Sequence, residues 1–181
     1  MSSTSSKGDN NQKLEQKLGE AVGLEMAAQK AVEELSSKGL LDKGGMKSKL
    51  ERMKKEAYNH QTKLEGLIKK LSQSEKGGRE RSGTLLDSDN IQDSAKETEQ
   101  KASQIMQTYL GNEPDSSEAI EFLCLAETGE VTHYEVLDAI MKKSKFKNKQ
   151  QLATQIKSIL GQEKKHLQLC TKLAKQNAIL Q

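Results

Sequence analysis

The chain has very few aromatic residues and almost no proline. Aromatic residues make up 3% of its 181 residues, tryptophan is missing, and Pro114 is the only proline. A core without large rings must be mostly aliphatic, and the scarcity of proline removes a common interruption of long helices. The rest of the composition, rich in Ala, Leu, Glu, Lys and Gln, favours helix over sheet. We therefore predict an all-α protein.

Long hydrophobic runs and a concentrated charge of one sign are missing as well. No stretch of 18 apolar residues occurs, so we expect no membrane-spanning helix. The net charge is only +3, and no basic patch with interleaved aromatic residues supports nucleic-acid binding. The Ser/Asn-rich beginning lacks the apolar core of a secretory signal, and the two cysteines form no CxxC motif. We expect a cytoplasmic protein with reduced thiols.

Periodic apolar residues predict two long helices in the N-terminal half. The first helix follows residues 1–11, which we expect to be a disordered tail, and it ends near Ser37 before a glycine-rich loop. The second helix reaches about Ser72. Ser48 and Glu51 have the spacing of a capping box for this helix, and the alternative is a start a few residues earlier.

The C-terminal half predicts a shorter helix and two more long ones, so that residues 12–181 form one domain. Residues 73–90 are expected to form a mobile connection, and the amphipathic helix over residues 91–110 is interpreted as a covering element without a central ionisable residue. Capping motifs that begin at Asp115 and Asn148 start the last two long helices. The predicted apolar face of the shorter helix consists of Ile91, Ala95, Ala102, Ile105 and Tyr109.

In each of the four predicted long helices, apolar residues spaced by three or four positions form a stripe along one face, and Glu or His stands near the middle of that stripe. On the last helix, steps of fours and threes place Glu163 and His166 between Ile159 and Cys170. An ionised carboxylate on a buried face is costly without a partner. A helix of about 25 residues is roughly 37 Å long, so the four midpoints can meet in one layer. The interrupting residues are Glu25, His60, Glu130, His133, Glu163 and His166.

A layer of Glu and His side chains is typical of a metal site. A spacing of three residues lets Glu163 and His166 reach one ion from the same helix. Carboxylates together with imidazoles suit iron, manganese or zinc. Two other interpretations stay open. One is a proton-sharing Glu/His network without metal, and the other is that a single His is an ordinary core residue with a hydrogen-bonded neighbour.

Five further side chains near the stripes have more than one interpretation. Glu56 and Glu127 are weaker candidates, and for both we prefer a solvated flanking residue. The alternative for Glu127 is a further ligand or an acceptor for a His N–H. Tyr58 and Tyr134 are either hydrogen-bond donors to the site or packing residues. Cys170 is either a soft ligand or a small buried hydrophobe, of which we prefer the second.

Several short motifs resemble the ferritin-like superfamily, and within it the small YciF-like stress-associated branch. They are Glu25 in Gly-Leu-Glu-Met-Ala-Ala, His60 in His-Gln-Thr-Lys-Leu-Glu, His133 in His-Tyr-Glu, and Glu163 with His166 in Gly-Gln-Glu-Lys-Lys-His-Leu. The resemblance covers roughly residues 12–178. It implies a ferritin-like four-helix bundle around two metal ions, with a long crossover that contains an additional short helix.

The sequence departs from the ligand pattern of the family at two helices. The family has one Glu on each of two helices and Glu-x-x-His on the other two. Ala57 stands three residues before His60, and Glu56 is displaced by one position. The third long helix carries Glu130-x-x-His133 where the family has a single Glu. The branch also has an acidic residue directly before His-Tyr-Glu, where this chain has Thr132. The number of bound ions therefore stays open.

The resemblance implies a metal-binding protein with two iron or manganese ions, zinc being a further alternative. Such a protein would oxidise Fe(II), or consume oxygen or peroxide, in a stress response, as a monomer or a homodimer. Glu25, Glu130 and Glu163 would bridge or cap the ions, and His60, His133 and His166 would be terminal ligands. The alternative is a non-catalytic helical bundle that binds a partner or acts in stress. Its buried polar layer would then set the helix register without metal.

Overall fold

The computed structural model describes residues 5–42, 45–73, 86–144 and 149–179, with side chains from residue 12 onward. Within these residues the chain is all-α, as predicted, and forms five helices. They are α1 (Ser5–Ser37), α2 (Met46–Gln73), α3 (Ser88–Leu110), α4 (Ser116–Lys143) and α5 (Lys149–Ile179). None of these helices has an apolar stretch long enough to cross a lipid bilayer.

The predicted capping box at the start of α4 is confirmed. The Asp115 side chain accepts hydrogen bonds from the backbone N–H groups of Ser117 and Glu118. The Glu118 carboxylate in turn accepts one from the Asp115 backbone N–H at 3.0 Å. These bonds satisfy donors that the first turn of a helix leaves unpaired, so the start of α4 is fixed by local sequence.

Other helix starts differ from the prediction. Ser48 does not cap α2, because its hydroxyl donates to the Gly45 carbonyl, and the helix begins at Met46, in agreement with the alternative of an earlier start. The first helix begins at Ser5, before its predicted start. Residues 1–4, residues 74–85 of the connection predicted to be mobile, and the predicted cap Asn148 lie outside the described residues.

The four long helices pack in a closed ring in the order α1, α2, α5, α4. Two aliphatic clusters fill the ring, and each ring helix contributes to both. The first cluster includes Leu18, Leu64, Leu137 and Ile156, and the second includes Val32, Leu50, Leu123 and Leu173. On every ring helix the central Glu and His residues fall between its two contributions. The two clusters therefore enclose an ionisable layer, which we call the acidic layer, between them.

The order in which each helix meets the two clusters gives its direction. Helices α1 and α5 run from the first cluster to the second, whereas α2 and α4 run the opposite way. Neighbours in the ring are therefore antiparallel, and α2 and α4 run in the same direction. Helix α3 carries the chain back between them, from Ile91 and Ala95 in the first cluster to Met106 and Leu110 in the second.

Helix α3 lies close against α1 at two glycines. A Cβ atom at Gly19 would lie 2.4 Å from the Ile91 carbonyl oxygen, and one at Gly23 would lie 2.4 Å from the Ala95 carbonyl oxygen. Residues four apart lie on the same face of a helix, so the two glycines give α1 a patch without side chains where the backbone of α3 can approach. The closeness of the two helices depends on this patch.

The predicted apolar face of α3 is only partly correct. Ile105 and Tyr109 are exposed, and Met106 and Leu110 are buried instead, because the face is turned by one residue in the last turns of the helix. The middle of α3 also carries a buried ionisable residue, contrary to the prediction. Glu99 lies 2.6 Å from the Lys30 ammonium of α1, which compensates its charge.

Replacement of Gly23 by alanine should destabilise the protein by about 1–3 kcal/mol, because the new methyl group forces α3 away from α1. Gly66→Ala is the matched control, since Gly66 lies in α2 with nothing within 4 Å of an added Cβ. It should stabilise the protein by about 0.5–1 kcal/mol through helix propensity. Urea denaturation measures both. Equal effects of the two substitutions would contradict the close approach of α3.

Candidate metal centre

Glu163 of α5 lies at the centre of the acidic layer, with an imidazole at each of its two oxygens. The Oε1 atom is 2.8 Å from Nδ1 of His60, and the Oε2 atom is 3.1 Å from Nδ1 of His166. The two rings are stacked, with centroids 6.1 Å apart. Glu163 itself is 1% exposed. One buried carboxylate therefore lies between nitrogen ligands from two helices, an arrangement suited to a carboxylate that bridges two cations.

The other nitrogen of each imidazole contacts an acceptor. His60 Nε2 is 2.8 Å from the Gln162 side-chain oxygen, and His166 Nε2 is 2.6 Å from the Glu56 carboxylate. Each acceptor calls for a hydrogen on Nε2, so a neutral imidazole has its lone pair on Nδ1, facing Glu163. Histidines that bind metal are commonly oriented by an acceptor on the second nitrogen in this way.

Three further carboxylates are buried in the layer, those of Glu25, Glu127 and Glu130. Glu25 Oε1 accepts a hydrogen bond of 2.6 Å from the Tyr134 hydroxyl and lies 3.3 Å from His60 Nδ1. Glu127 Oε2 lies 3.9 Å from His166 Nδ1. Two sets of three residues each bring one ligand atom per residue within 4.8 Å of one another. They are Glu25, His60 and Glu163, and Glu127, Glu163 and His166.

Four polar atoms of these two sets have no hydrogen-bond partner among the described residues. They are Glu25 Oε2, His60 Nδ1, Glu127 Oε2 and Glu163 Oε1. Two of these atoms, Glu163 Oε1 and His60 Nδ1, are only 2.8 Å apart, but they are not aligned for a hydrogen bond with each other. Buried polar atoms without partners are costly, and native proteins contain few of them. Their convergence fits the presence of cations.

Burial changes the protonation of the carboxylates. Loss of hydration raises the pKa of Glu25 from 4.5 to about 7, although the contact with His60 opposes this shift. The pKa values of Glu127 and Glu130 are raised well above the usual range, by burial first and then by neighbouring carboxylates. Like charges gathered at low dielectric cannot all stay ionised without compensation. In the metal-free protein, protons on the carboxyl groups of Glu25, Glu127 and Glu130 supply part of this compensation.

Glu163 and the two histidines shift in the opposite sense and form an ionised group. Burial alone would raise the pKa of Glu163, but its close contacts with the imidazoles of His166 and His60 outweigh burial and lower the pKa to about 2. Burial likewise opposes the imidazolium form, yet contacts with Glu163 raise the pKa of His60 to about 10 and that of His166 to about 9. Without metal, two imidazolium groups therefore surround the Glu163 carboxylate.

Metal-free protein should lose stability as the pH rises from about 6 to about 9. The raised pKa of Glu25 means that the folded state binds more protons than the unfolded chain between pH 4.5 and about 7, so this contribution falls across that range. The stabilisation from His60 is complete below pH 6.5 and is lost as the pH rises to about 10. Glu163 changes the pH dependence of stability only under acid conditions, because its contribution to the free energy of unfolding is lost as the pH falls from 4.5 to about 2.

Urea denaturation near pH 6 and near pH 9 measures this trend. A saturating divalent cation should weaken or reverse it, because metal ligands must be deprotonated and higher pH favours them. A metal-free protein that is more stable near pH 9 would contradict the protonation pattern of the acidic layer.

The structure brings most of the predicted ligands together. Glu25, His60, Glu163 and His166 belong to the two ligand sets, and Glu130 is buried beside them without belonging to either set. His133 lies elsewhere. Its Nε2 atom is 2.9 Å from the Lys17 carbonyl oxygen, and its Nδ1 atom is 3.5 Å from the Glu20 carboxylate.

The position of His133 follows from the register of α4. A step of three from Glu130 reaches His133, and a step of four reaches Tyr134; both are compatible with 3.6 residues per turn. The structure has Tyr134, fully buried, facing the layer. The same shift brings Glu127 inward and leaves Ala126 half-buried.

The remaining candidates take separate positions. Glu56 accepts from His166 Nε2 and so orients that ring, whereas Tyr58 is 58% exposed and lies outside the layer. Cys170 is fully buried, and burial raises the pKa of its thiol. Gln162 carries no signal in the sequence, because it lies off the apolar stripe and glutamine is common on helix surfaces. Its role depends on the position of His60 on another helix.

Comparison of the chain with models of known protein families, with curated proteins and with solved structures gives no significant match. The resemblance to the ferritin-like superfamily therefore stays a prediction from short motifs. A function for this chain has to be argued from the geometry of the acidic layer.

Proposed function

We propose that the protein is a metal-binding helical bundle whose acidic layer holds two divalent cations bridged by Glu163. The observation that best supports this is the position of the two Nδ1 atoms, of His60 and His166, at the two oxygens of Glu163. Both Nε2 atoms contact acceptors, so when a cation replaces the second proton of each ring the Nδ1 lone pair is the group that would bind it. Four buried atoms of the layer without hydrogen-bond partners, on Glu25, His60, Glu127 and Glu163, further support cations at this place.

The two ligand sets define which residues would hold each cation. Glu25, His60 and Glu163 would hold the first, and Glu127, Glu163 and His166 the second. Glu130 is buried next to the second position and is available as a further ligand. Imidazole and carboxylate ligands without thiolate suit iron, manganese and zinc. Of these we favour iron. Bound iron would supply redox chemistry, such as oxidation of Fe(II) by oxygen or peroxide.

We further propose that the fold is ferritin-like. Support comes from the ring of four antiparallel neighbours, with one long connection through α3 between the parallel helices α2 and α4. Ferritin-like bundles have one such crossover and take single Glu ligands from two helices and a Glu/His pair from each of the other two. Here α1 and α4 supply Glu only, whereas α2 and α5 supply the histidines. The departure is Glu56, which contacts the histidine of α5.

Protein purified without an affinity tag should contain, or take up, about two cations per chain when Fe(II), Mn(II) or Zn(II) is added. Saturation at about 100 times the dissociation constant stabilises the folded state by about 2.7 kcal/mol for each independent site, which raises the melting temperature. Elemental analysis and thermal denaturation measure the two effects, and oxygen uptake after addition of Fe(II) tests the redox proposal. Less than about 0.2 cation per chain without thermal stabilisation would support a metal-free polar layer that sets helix register.

Substitutions should separate the two positions. Glu163→Ala should remove most bound metal, because Glu163 belongs to both ligand sets, whereas His166→Ala should weaken only the second position, by about 10–100-fold or more. Helicity measured by circular dichroism should be unchanged. His133→Ala is the matched control, since this histidine contacts α1 outside the layer and its loss should leave the stoichiometry intact. Full metal content in the Glu163→Ala protein would exclude the bridging role.

A further inference from the structure

A cavity of about 200 Å³ lies beside the second cation position, between α1, α2, α3 and α4. Its inner end is formed by Glu127, Glu130, Glu163 and His166. The walls are almost entirely apolar, with small side chains or glycine at many positions. Neither Glu25 nor His60, the other ligands of the first position, contributes to its lining. The cavity therefore reaches only the second position.

The cavity exists because alanines from four helices stand at positions along its walls where larger side chains would fill it. Ala28 lies three residues after Glu25, and its counterparts on the other helices are Ala57, Ala102 and Ala126. Larger aliphatic side chains at these positions would fill the cavity, as they do in both aliphatic clusters. Protein interiors are close-packed, so apolar side chains left without packing partners around such a space are unusual. A space of this size is consistent with an occupant.

The walls offer a polar ligand few groups to bind. Lys54 forms an ion pair of 3.0 Å with Glu51, and the Ser103 hydroxyl donates to Glu99 at 3.1 Å. Both polar groups of the wall are therefore engaged with neighbours on their own helices. A buried polar group without a hydrogen bond is unfavourable, and a buried unpaired charge is more so. The walls therefore suit an apolar occupant better than a polar one.

The outer end of the cavity is apolar as well. Ile105 of α3 and Leu125 of α4 belong to the lining and are 59% and 55% exposed, so they lie where the cavity meets solvent. Large aliphatic side chains at an entrance favour apolar molecules over polar ones, because contact removes apolar surface from water. The route from solvent to the acidic layer is apolar up to its inner end.

We propose that this cavity binds a small neutral apolar molecule, a hydrocarbon chain or ring of about six to eight carbon atoms, with its inner end beside Glu127 and Glu130. An apolar cavity of about 150 Å³ is enough to bind benzene. An apolar pocket with a few polar groups at one end is the usual form of a small-molecule site. The inference rests on the proposed function in one respect, since the molecule is a substrate of the metal site only where cations are bound.

1-Hexanol is a suitable probe, titrated calorimetrically into the full-length protein before and after metal loading. It should bind saturably with one molecule per chain in both forms, because the cavity exists without metal. 1,2,6-Hexanetriol has the same carbon chain and should bind at least about tenfold more weakly, since its extra hydroxyls find no partners along the walls. Equal affinity for the two compounds, or no binding of 1-hexanol, would overturn the proposal.

Filling the cavity from α3 tests its location, because α3 contributes no residue to the two ligand sets. Ala102→Leu should weaken 1-hexanol binding at least about tenfold and leave the metal stoichiometry unchanged. Ala139→Leu, on the exposed side of α4, is the matched control and should change neither. Unchanged binding in folded Ala102→Leu protein would contradict this location. If that variant does not fold, the comparison of hexanol with hexanetriol on the unsubstituted chain decides.

Metal analysis of the same samples distinguishes the two proposals. Binding of 1-hexanol by a protein that takes up no metal would contradict the metal site and leave the cavity proposal standing. Metal uptake by a protein that does not bind 1-hexanol would contradict the cavity proposal alone.

Discussion

Four carboxylates buried in one layer are the constraint on which the rest of the structure depends. At low dielectric their charges repel strongly, and the layer is stable only when protons, imidazolium groups or metal cations compensate them. The two aliphatic clusters fix the depth of the layer, because each ring helix must place its Glu or His between two apolar segments. Glu163 lies where all compensating groups meet. Its two oxygens face different histidines, so a single residue links the two halves of the site.

Helix α3, which lies outside the ring, helps to form the cavity beside the acidic layer. Helix α3 returns the chain between two parallel helices, and its approach to α1 depends on Gly19 and Gly23. Because α3 is held so closely, Ala102 and Met106 form part of the cavity wall and do not stand away from the ring. Ala102 and Met106 have no ionisable group, yet as parts of this wall they help to determine which molecules would reach the acidic layer. The covering role predicted for this helix is therefore only part of its contribution.

The sequence predicts α5 well and α4 less well, for a physical reason. In α5 the polar residues between stripe positions are unambiguous, and every predicted stripe position from Leu152 to Leu173 is buried. In α4 the two steps from Glu130 reach either His133 or Tyr134, and both side chains are plausible in a polar layer. Local periodicity does not separate them, since a helix accepts steps of three and four equally. The register is decided by contacts between helices, such as the hydrogen bond from Tyr134 to Glu25.

The contacts of Glu56 make the two cation positions unequal. The family pattern would use a Glu of α2 as a ligand, but Glu56 accepts from the outer nitrogen of His166 and orients that ring. Glu25 and His60 of the first set are buried and do not line the cavity, whereas all three residues of the second set do. Metal sites that only stabilise a fold are typically closed, and sites that act on substrates keep an open coordination position. By this criterion, the second of the two proposed positions would be the one open to a substrate, and a cation at the first would mainly hold Glu163 and the bundle in place.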